Sequence, residues 1–341
     1  MRSFGSDNNS GVHPLIFKAL EEANVDHAIG YGDDKWTEAA AAKIKEAFGP
    51  SADPYFLFNG TGANSVAIQS VTRPFNSIIC ATSAHIYVDE CGAPQKMSGC
   101  SVVAIPTADG KLSAELIKPH LNNFGVCHHS QPGVVYISQT TELGTVYTIE
   151  EIRSIADLIH AHGMYLHMDG ARLANAAAYL GCSFKEMTVD AGVDVLSFGG
   201  TKNGMMMGES VISFKEEISV NMQYYRKQSA QLASKLRYLS AQFIPYLENN
   251  LWLENAQKAN AAAAKLYEAL KKYEAVEFTQ EAQTNQLFLK MPKEAIEKLL
   301  EDYFFYIWNE HTCEVRFVTS WDTTEKDIAD LIASFEKVLS E

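Results

Sequence analysis

The stretch SFGGTKNG, Ser197 to Gly204, closes a short apolar run that begins at Val193. The run VDVLSF predicts a buried strand, and the glycines behind it allow the backbone to approach a ligand closely. Lys202 would then stand at the carboxyl end of a strand, where open α/β sheets bind their ligands. A desolvated lysine in that position can lose its proton and form a Schiff base with a carbonyl group. Taken alone, the stretch fits a surface lysine in a glycine-rich turn equally well.

Short apolar runs of the same kind recur through the first two thirds of the chain. They lie at 55–59, 77–81, 101–105, 134–138, 164–168, 193–198 and 209–214. Helical sequence separates many of them, including 61–71, 112–121 and 149–163, and a capping box of Thr148 and Glu151 opens the last of these helices. Strands that alternate with helices predict an α/β fold whose mostly parallel sheet is covered on both faces.

The pattern changes after residue 214. Long helical sequence runs from about 215 to 273, and the remainder reads as β-α-β-β-α, which predicts a smaller α+β domain. We therefore expect an N-terminal arm at 1–14 that packs against the small domain and the functional site. A large domain would span 15–245, and a small C-terminal domain would span 246–341.

The composition is that of an ordinary globular protein, with 341 residues of which 47% are hydrophobic. A formal net charge of -14 and the lack of a dense basic patch argue against a nucleic-acid partner. No apolar run approaches a membrane span and the N-terminal sequence has no apolar signal region, so we expect a cytoplasmic protein. Six cysteines occur without a CxxC pair, and no set of ligands has metal spacing, so we expect reduced thiols and no metal.

A glycine turn opens the first helix that follows a predicted strand. In FNGTGANS, Phe58 to Ser65, backbone amides at the helix N-terminus could bind a phosphate, and Gly60, Thr61 and Gly62 would let the anion come close. A tight strand-to-helix turn without a ligand is the alternative. The spacing matches neither a P-loop nor a dinucleotide fingerprint, so nucleotide binding is disfavoured.

Two further polar residues follow predicted strands. Asp169, in HMDGARLANA, ends an otherwise apolar run and is costly to bury without a cationic partner, which a pyridinium nitrogen would provide; alternatively it caps the next helix. Arg172 could pair with Asp169 or offer its guanidinium to a carboxylate. His85, in SAHIYVDECGA, follows the strand at 77–81. Parallel strands would bring these residues to the same rim as Lys202.

Together, the segments GTGAN, SAHIYVDE, HMDGARLANA and SFGGTKNG resemble the low-specificity L-threonine aldolases. These are pyridoxal-phosphate enzymes of the aspartate-aminotransferase fold (fold type I), in the branch that contains the β-eliminating lyases. The resemblance spans nearly the whole chain, from Ser6 and Asp7 through RKQSAQLASK (226–235) to Arg316. It implies pyridoxal 5′-phosphate as cofactor and a homodimer or homotetramer with active sites at the dimer interface.

The resemblance also implies roles for individual residues. Lys202 should hold the cofactor, Asp169 should keep its ring nitrogen protonated, and His85 should stack on the ring. The implied cofactor-binding residues are Gly60, Thr61, Gly62, His85, Asp169, Arg172, Lys202 and Arg226, the last through a neighbouring subunit's phosphate. Those implied for the substrate carboxylate are Ser6, Arg172 and Arg316.

The activity that the resemblance implies is retro-aldol cleavage of L-threonine or L-allo-threonine to glycine and acetaldehyde. The catalytic residues would be Lys202, Asp169, His85 and His128, and the base that takes the β-hydroxyl proton may be His85, His128 or a water held by them. Alternatives are β-elimination on the same scaffold and a non-enzymatic binding module. The chain departs from the family at KWTE (35–38) and SQTTE (138–142), segments expected to shape the substrate pocket and the subunit contact.

Overall fold

The protein is built on a large and a small β-sheet joined by a long helix. The computed structural model describes residues 2–340. Its strands are, in chain order, β1 (Arg2–Ser3), β2 (Asp53–Leu57), β3 (Asn76–Ala81), β4 (Ser101–Ile105), β5 (Gln131–Ser138), β6 (Tyr165–Gly170), β7 (Val195–Gly199), β8 (Glu209–Ser213), β9 (Glu277–Phe278), β10 (Gln286–Lys290), β11 (Tyr303–Phe304), β12 (Tyr306–Asn309) and β13 (Glu314–Val318).

Helices cover both sheets. They are α1 (Pro14–Ala23), α2 (Lys35–Phe48), α3 (Gly60–Val71), α4 (His85–Val88), α5 (Ala93–Ser98), α6 (Ala114–Ile117), α7 (Ile149–His160), α8 (Leu173–Leu180), α9 (Phe184–Met187), α10 (Glu216–Gln228), α11 (Arg237–Ser240), α12 (Phe243–Leu247), α13 (Leu251–Leu270), α14 (Lys293–Asp302) and α15 (Glu325–Ser340). None of those in residues 2–340 has both the length and the apolar character needed to cross a bilayer.

The large sheet has the strand order β2-β8-β7-β6-β5-β3-β4. Strands β3 to β7 pair in parallel, whereas β8 runs antiparallel to both of its neighbours. Its two faces form separate apolar cores, one with α3 and α10 and the other with α2, α7 and α8. The predicted α/β class with a mostly parallel, doubly covered sheet is therefore confirmed.

All seven predicted strands of this sheet are present, and the Thr148–Glu151 capping box forms at the start of α7. One predicted helix is largely wrong. Of 112–121, only α6 is α-helical, and a 3₁₀ helix, Lys118–Asn123, follows it. Pro119 has no backbone N–H to donate to a continuing α-helix, which explains the early end.

The small sheet has the order β12-β13-β10-β9 and packs against α14, α15 and the C-terminal part of α13. The first residues of the chain lie against it: β1 and β11 form a separate two-stranded parallel sheet, and the fully buried Phe4 exchanges backbone hydrogen bonds with Phe304 and with Val318 of β13. The division at residue 245 stays a prediction. Pro245 lies inside α12, and α13 contacts both α8 of the large layer and α15 of the small one.

The capping box gives a test of local stability. Thr148→Ala removes the side-chain acceptor for the Glu151 N–H and should lower the free energy of unfolding by about 1 kcal/mol. Ser154→Ala, at an exposed position of the same helix, is the control and should change it by less than about 0.5 kcal/mol. Denaturant unfolding measures both variants. Equal midpoints would show that the cap contributes nothing.

Candidate active site

A cavity of about 280 Å³ opens at the carboxyl edge of the large sheet. Six predicted site residues line it, namely Gly60, Thr61, His85, Asp169, Arg172 and Lys202. They come from the ends of different strands, and the parallel register explains why they meet. Ser138, Asp169 and Ser197 are direct neighbours across β5, β6 and β7, so polar side chains stand in a row at one rim.

Asp169 is a buried carboxylate on the cavity floor. Its Oδ2 accepts hydrogen bonds from the Asn64 amide at 2.8 Å and the Tyr136 hydroxyl at 2.7 Å, and its Oδ1 accepts from the Ala171 N–H. Burial alone would raise the pKa of Asp169, but the positive charge of His85 and these hydrogen bonds hold it below its ordinary value. The carboxylate therefore stays ionised and can bind a protonated ring nitrogen.

His85 lies on the cavity wall at the start of α4, held at two points. Its Nδ1 is 2.8 Å from Oε1 of the buried Glu90, and its backbone N–H donates to Oε1 of Glu142 at 2.8 Å. The hydrogen bond to Glu90 raises the pKa of the His85 ring, against the opposing effect of burial. The ring thus has a fixed orientation and an enhanced affinity for a proton.

One group of potential metal ligands lies in the same place. His85, Glu90 and Asp169 each present one ligand atom, all within 4.8 Å of one another. The amide nitrogen of Asn64 donates at 2.8 Å to both carboxylates. Hydrogen bonds from Asn64 and His85 thus account for this cluster without a cation.

Lys202 lies in the 3₁₀ turn Thr201–Asn203 that follows β7, and its side chain reaches the cavity. Burial lowers the pKa of the Lys202 ammonium, and the nearby Arg172 lowers it further, against the opposing charges of Asp7 and Asp169. No hydrogen bond or ion pair holds its Nζ among residues 2–340. Its amine is thus available for reaction with a carbonyl group.

The glycine turn forms the N-terminus of α3, as predicted. Asn59 caps the helix by accepting from the Gly62 N–H at 2.8 Å, and nothing lies within 4 Å of where a Cβ on Gly60 would be. Gly62 is not on the cavity wall. Its α-carbon packs against the side chain of Gln231, which leaves no room for a larger residue. Gly60 and Thr61 thus present the free end of the helix to the cavity.

Arg172 makes an ion pair that the sequence did not reveal. Its Nε and Nη2 donate to the two oxygens of Asp7 at 2.7 and 2.9 Å, and Asn285 donates to the same carboxylate. Burial by itself would raise the pKa of Asp7, but Arg172 and Lys202 hold it below its ordinary value. Ser6 caps the 3₁₀ turn that carries Asp7, and Ser6 does not line the cavity. Asn8, in the same turn, does line it.

Two predicted arginines lie outside the cavity lining. Arg316 on β13 packs between the rings of Tyr306 and Trp308 and donates to the backbone oxygen of Gly5. Burial, together with the charge of Arg172, lowers the pKa of Arg316 to about 10. Arg226 lies over the Tyr55 ring and contacts the backbone of β2, and its contact with another subunit's phosphate stays a prediction.

His128 does not reach the cavity of its own chain. It is exposed and lies three residues before the start of β5, whereas the cavity lies at the carboxyl end of that strand. The expectation came from the histidine that similar enzymes carry ahead of this strand. Because the strand separates His128 from the cavity of its own chain, its catalytic role stays a prediction that would require another subunit's cavity.

Several cavity residues were missed by sequence reasoning. They are Asn64, Glu90, Ser138, Glu142, Ser197 and Glu209. Glu90 and Asn64 are polar residues within otherwise apolar or helical segments, a signal that could have been used. Glu142 belongs to the departing segment 138–142, which does line the cavity, whereas 35–38 lies in the first turn of α2 and does not. Burial raises the pKa of the Glu142 carboxyl, although Ser138 donates to it.

A partly buried lysine and a buried aspartate at neighbouring strand ends, with a free helix N-terminus beside them, are the features expected of a fold type I enzyme. Residues 3–294 match the model of the beta-eliminating lyase family. The chain is 39% identical over 340 residues to the low specificity L-threonine aldolase of a Pseudomonas species (strain NCIMB 10558), covering 99% of this chain and 98% of that protein. The chain belongs to the β-eliminating lyase family.

A second relative and a solved structure support the same family assignment. The low specificity L-threonine aldolase of Pseudomonas aeruginosa is 38% identical, with 99% of this chain and 98% of that protein covered. The solved structure of the threonine aldolase of Leishmania major superposes with a TM-score of 0.94 at 32% identity, covering 99% of this chain and 100% of that one. Two aminotransferases at 14% identity share the fold alone. The resemblance to low-specificity threonine aldolases and the aminotransferase-type fold are thus confirmed.

The Asp7–Arg172 pair can be tested by its effect on stability. Asp7→Asn leaves Arg172 beside Arg316 and Lys202 without its counter-charge, and should lower the free energy of unfolding by about 3 kcal/mol at pH 7. Because the folded-state pKa of Asp7 is below its ordinary value of 3.8, this stabilisation is present above that pH and is lost as pH falls through the folded value.

The control is another pair of the N-terminal arm. Asp322→Asn removes a partly exposed partner of Arg2 and should cost less than about 1 kcal/mol. Urea unfolding at pH 7 compares the two variants. Equal losses would show that Asp7 is an ordinary surface partner.

Proposed function

We propose that this chain catalyses the reversible, pyridoxal-phosphate-dependent cleavage of L-threonine or L-allo-threonine to glycine and acetaldehyde. The observation that carries the proposal is Lys202, partly buried and without a partner for its amine among residues 2–340, in one cavity with Asp169, His85 and the N-terminus of α3. The names of the full-length relatives in Pseudomonas support the same reaction.

The cavity residues fit the cofactor. Asp169 is a buried carboxylate held ionised, which suits a protonated pyridine nitrogen. The first residues of α3 offer free backbone N–H groups, and the open space around Gly60 leaves room for a phosphate. Lys202, with its lowered pKa, suits a covalent bond to an aldehyde. Bound here, pyridoxal phosphate would supply an electron sink for the carbon from which the bond is broken.

The substrate carboxylate would be bound by arginine. Asp7 fixes the plane of the Arg172 guanidinium through Nε and Nη2 and leaves Nη1 for a ligand. The positive charge of Arg172 lowers the pKa of Arg316, so an anion placed between the two guanidinium groups would be stabilised. Ser6 is proposed to contribute from the arm, next to Asp7. This arrangement orients the amino acid so that its side chain points towards the wall that carries His85.

His85 is the base that we propose for the β-hydroxyl proton. Glu90 accepts from Nδ1–H, which leaves the Nε2 lone pair free to take a proton. Removing that proton allows the Cα–Cβ bond to break, so that the aldehyde leaves. The proton taken up by His85 would then be returned to Cα, with the amine of Lys202, the residue that would hold the cofactor, as the group that carries it.

We further propose a cytoplasmic homodimer or homotetramer with active sites at the interface. Large apolar side chains are exposed close to the cavity: Phe58 is 40% exposed, Tyr87 50% and Val88 57%. Phe58 lines the cavity, and the other two lie in α4 behind His85. A second copy of the chain would cover them.

The reaction is tested through its products and its lysine. The wild-type protein incubated with L-threonine should release glycine and acetaldehyde, and borohydride reduction followed by peptide mapping should place a pyridoxyl group on Lys202. Lys202→Ala should lower kcat by at least about 100-fold, whereas Lys271→Ala, at an exposed lysine, should not. 2-Oxobutyrate and ammonia without glycine would indicate β-elimination of threonine instead.

The role of Glu90 predicts a shift in the pH profile. Because Glu90 raises the pKa of His85, Glu90→Gln should lower that pKa and move the acidic limb of kcat/KM to lower pH, with a loss of about tenfold in kcat. Asp89→Asn removes the same charge from the adjacent, exposed position and should leave the limb where it is. An unshifted limb in Glu90→Gln would exclude His85 as the titrating base.

A further inference from the structure

Glu209 is a carboxyl group in the cavity that the proposed reaction does not use. It is the first residue of β8 and pairs with Leu57 on one side and with Gly199 on the other. The chain leaves Leu57 for the N-terminus of α3 and leaves Gly199 for the turn that carries Lys202. Backbone register alone thus sets Glu209 between the proposed phosphate site and the reactive lysine.

The side chain is built into this position. Its Oε1 accepts from the Thr201 hydroxyl at 2.9 Å, and its carboxyl group packs onto the α-carbon of Gly199, where any side chain would collide with it. Its Oε2 has no hydrogen-bond partner among residues 2–340. Because Glu209 and Thr201 line the cavity together with Gly60 and Thr61, the carboxyl group borders the space that a phosphate at α3 would occupy.

The surroundings disfavour a negative charge on Glu209. Burial raises the pKa of Glu209 to about 7, and the carboxylate of Asp169 adds to the effect, while Thr201 and Lys202 oppose it. Tyr246, on α12, also faces Glu209, and burial keeps that phenol protonated. A phosphate bound at α3 would add about -1.5 to -2 charges nearby.

Resting on the proposed function, we infer that Glu209 binds the cofactor phosphate as a neutral carboxylic acid, donating its O–H to a phosphate oxygen. Cofactor binding is then coupled to the uptake of one proton from solvent at Glu209. No covalent bond changes, and the proton remains on the carboxyl group. A residue that would repel the phosphate as an anion thereby becomes one of its hydrogen-bond donors.

The test counts protons during binding. Protein freed of cofactor is titrated with pyridoxine 5′-phosphate, which has no aldehyde and so cannot react with Lys202, by calorimetry at pH 8 in buffers of different ionisation enthalpy. Wild-type protein should take up close to one proton per site more than Glu209→Gln. Its Kd should also rise up to about tenfold for each pH unit above 7, relative to the variant. The sign follows from a carboxyl that is ionised when free and protonated when bound.

Matched controls isolate the effect. Glu142→Gln alters another partly buried cavity carboxyl and should keep the wild-type proton uptake. Pyridoxine without phosphate should bring no uptake at Glu209, and this comparison needs no variant, so it remains decisive if Glu209→Gln does not fold. Infrared difference spectra should show the carbonyl band of a protonated carboxylic acid on phosphate binding, absent in Glu209→Gln.

Equal proton uptake by wild type and Glu209→Gln, or equal uptake with pyridoxine and its phosphate, would overturn the inference. Failure of the proposed function has a different signature. If pyridoxal phosphate gives no borohydride-stable adduct on Lys202, the function is wrong. An adduct on Lys202 together with equal uptake refutes only the role of Glu209.

Discussion

The site depends on the parallel register of three central strands. Because β5, β6 and β7 run in the same direction and end at the same level, Ser138, Asp169 and Ser197 are neighbours across the sheet. The turn that follows β7 then carries Lys202 over this row. A shift of one residue in any strand would turn the polar side chain to the opposite face, into an apolar core. The same hydrogen bonds that build the sheet therefore also position the chemistry.

Charge balance is the second requirement, because the cavity buries many ionisable groups in a small volume. Asp169 is kept ionised by amide and hydroxyl donors, Asp7 by a guanidinium, and Lys202 has its pKa lowered. The pKa values of the Glu209 and Glu142 carboxyl groups are raised. The pKa of each group is shifted in favour of the protonation state that its surroundings stabilise. Such opposite shifts within one cavity are typical of catalytic sites rather than of structural ion pairs.

Much of this could be read from the sequence, because the strands are short apolar runs and each functional residue follows one directly. Lys202, Asp169, His85 and the Gly60 turn are local features of that kind. The hydrogen bonds between distant segments could not be predicted from the sequence. Arg172 donates to Asp7 across 165 residues, and Asn64 donates to Asp169 across 105. The role of His128 stays a prediction for a related reason, because the whole of β5 separates this residue from the cavity of its own chain. The end of helix 112–121 was also missed, although Pro119 marked it.

The contacts of Asp7 also bear on how the protein is made. This residue comes from the first ten positions, yet it is held by Arg172 from the middle of the chain and by Asn285 from the small sheet. During synthesis the N-terminal segment leaves the ribosome first, but β1 and Phe4 have no partners until β11 and β13 have been made, so Asp7 cannot be fixed beside Arg172 until almost the entire chain is complete. Arg172, which we propose to bind the substrate carboxylate, stays unfixed until then. A nascent or truncated chain would thus contain Lys202 before it has an ordered binding site for an amino acid.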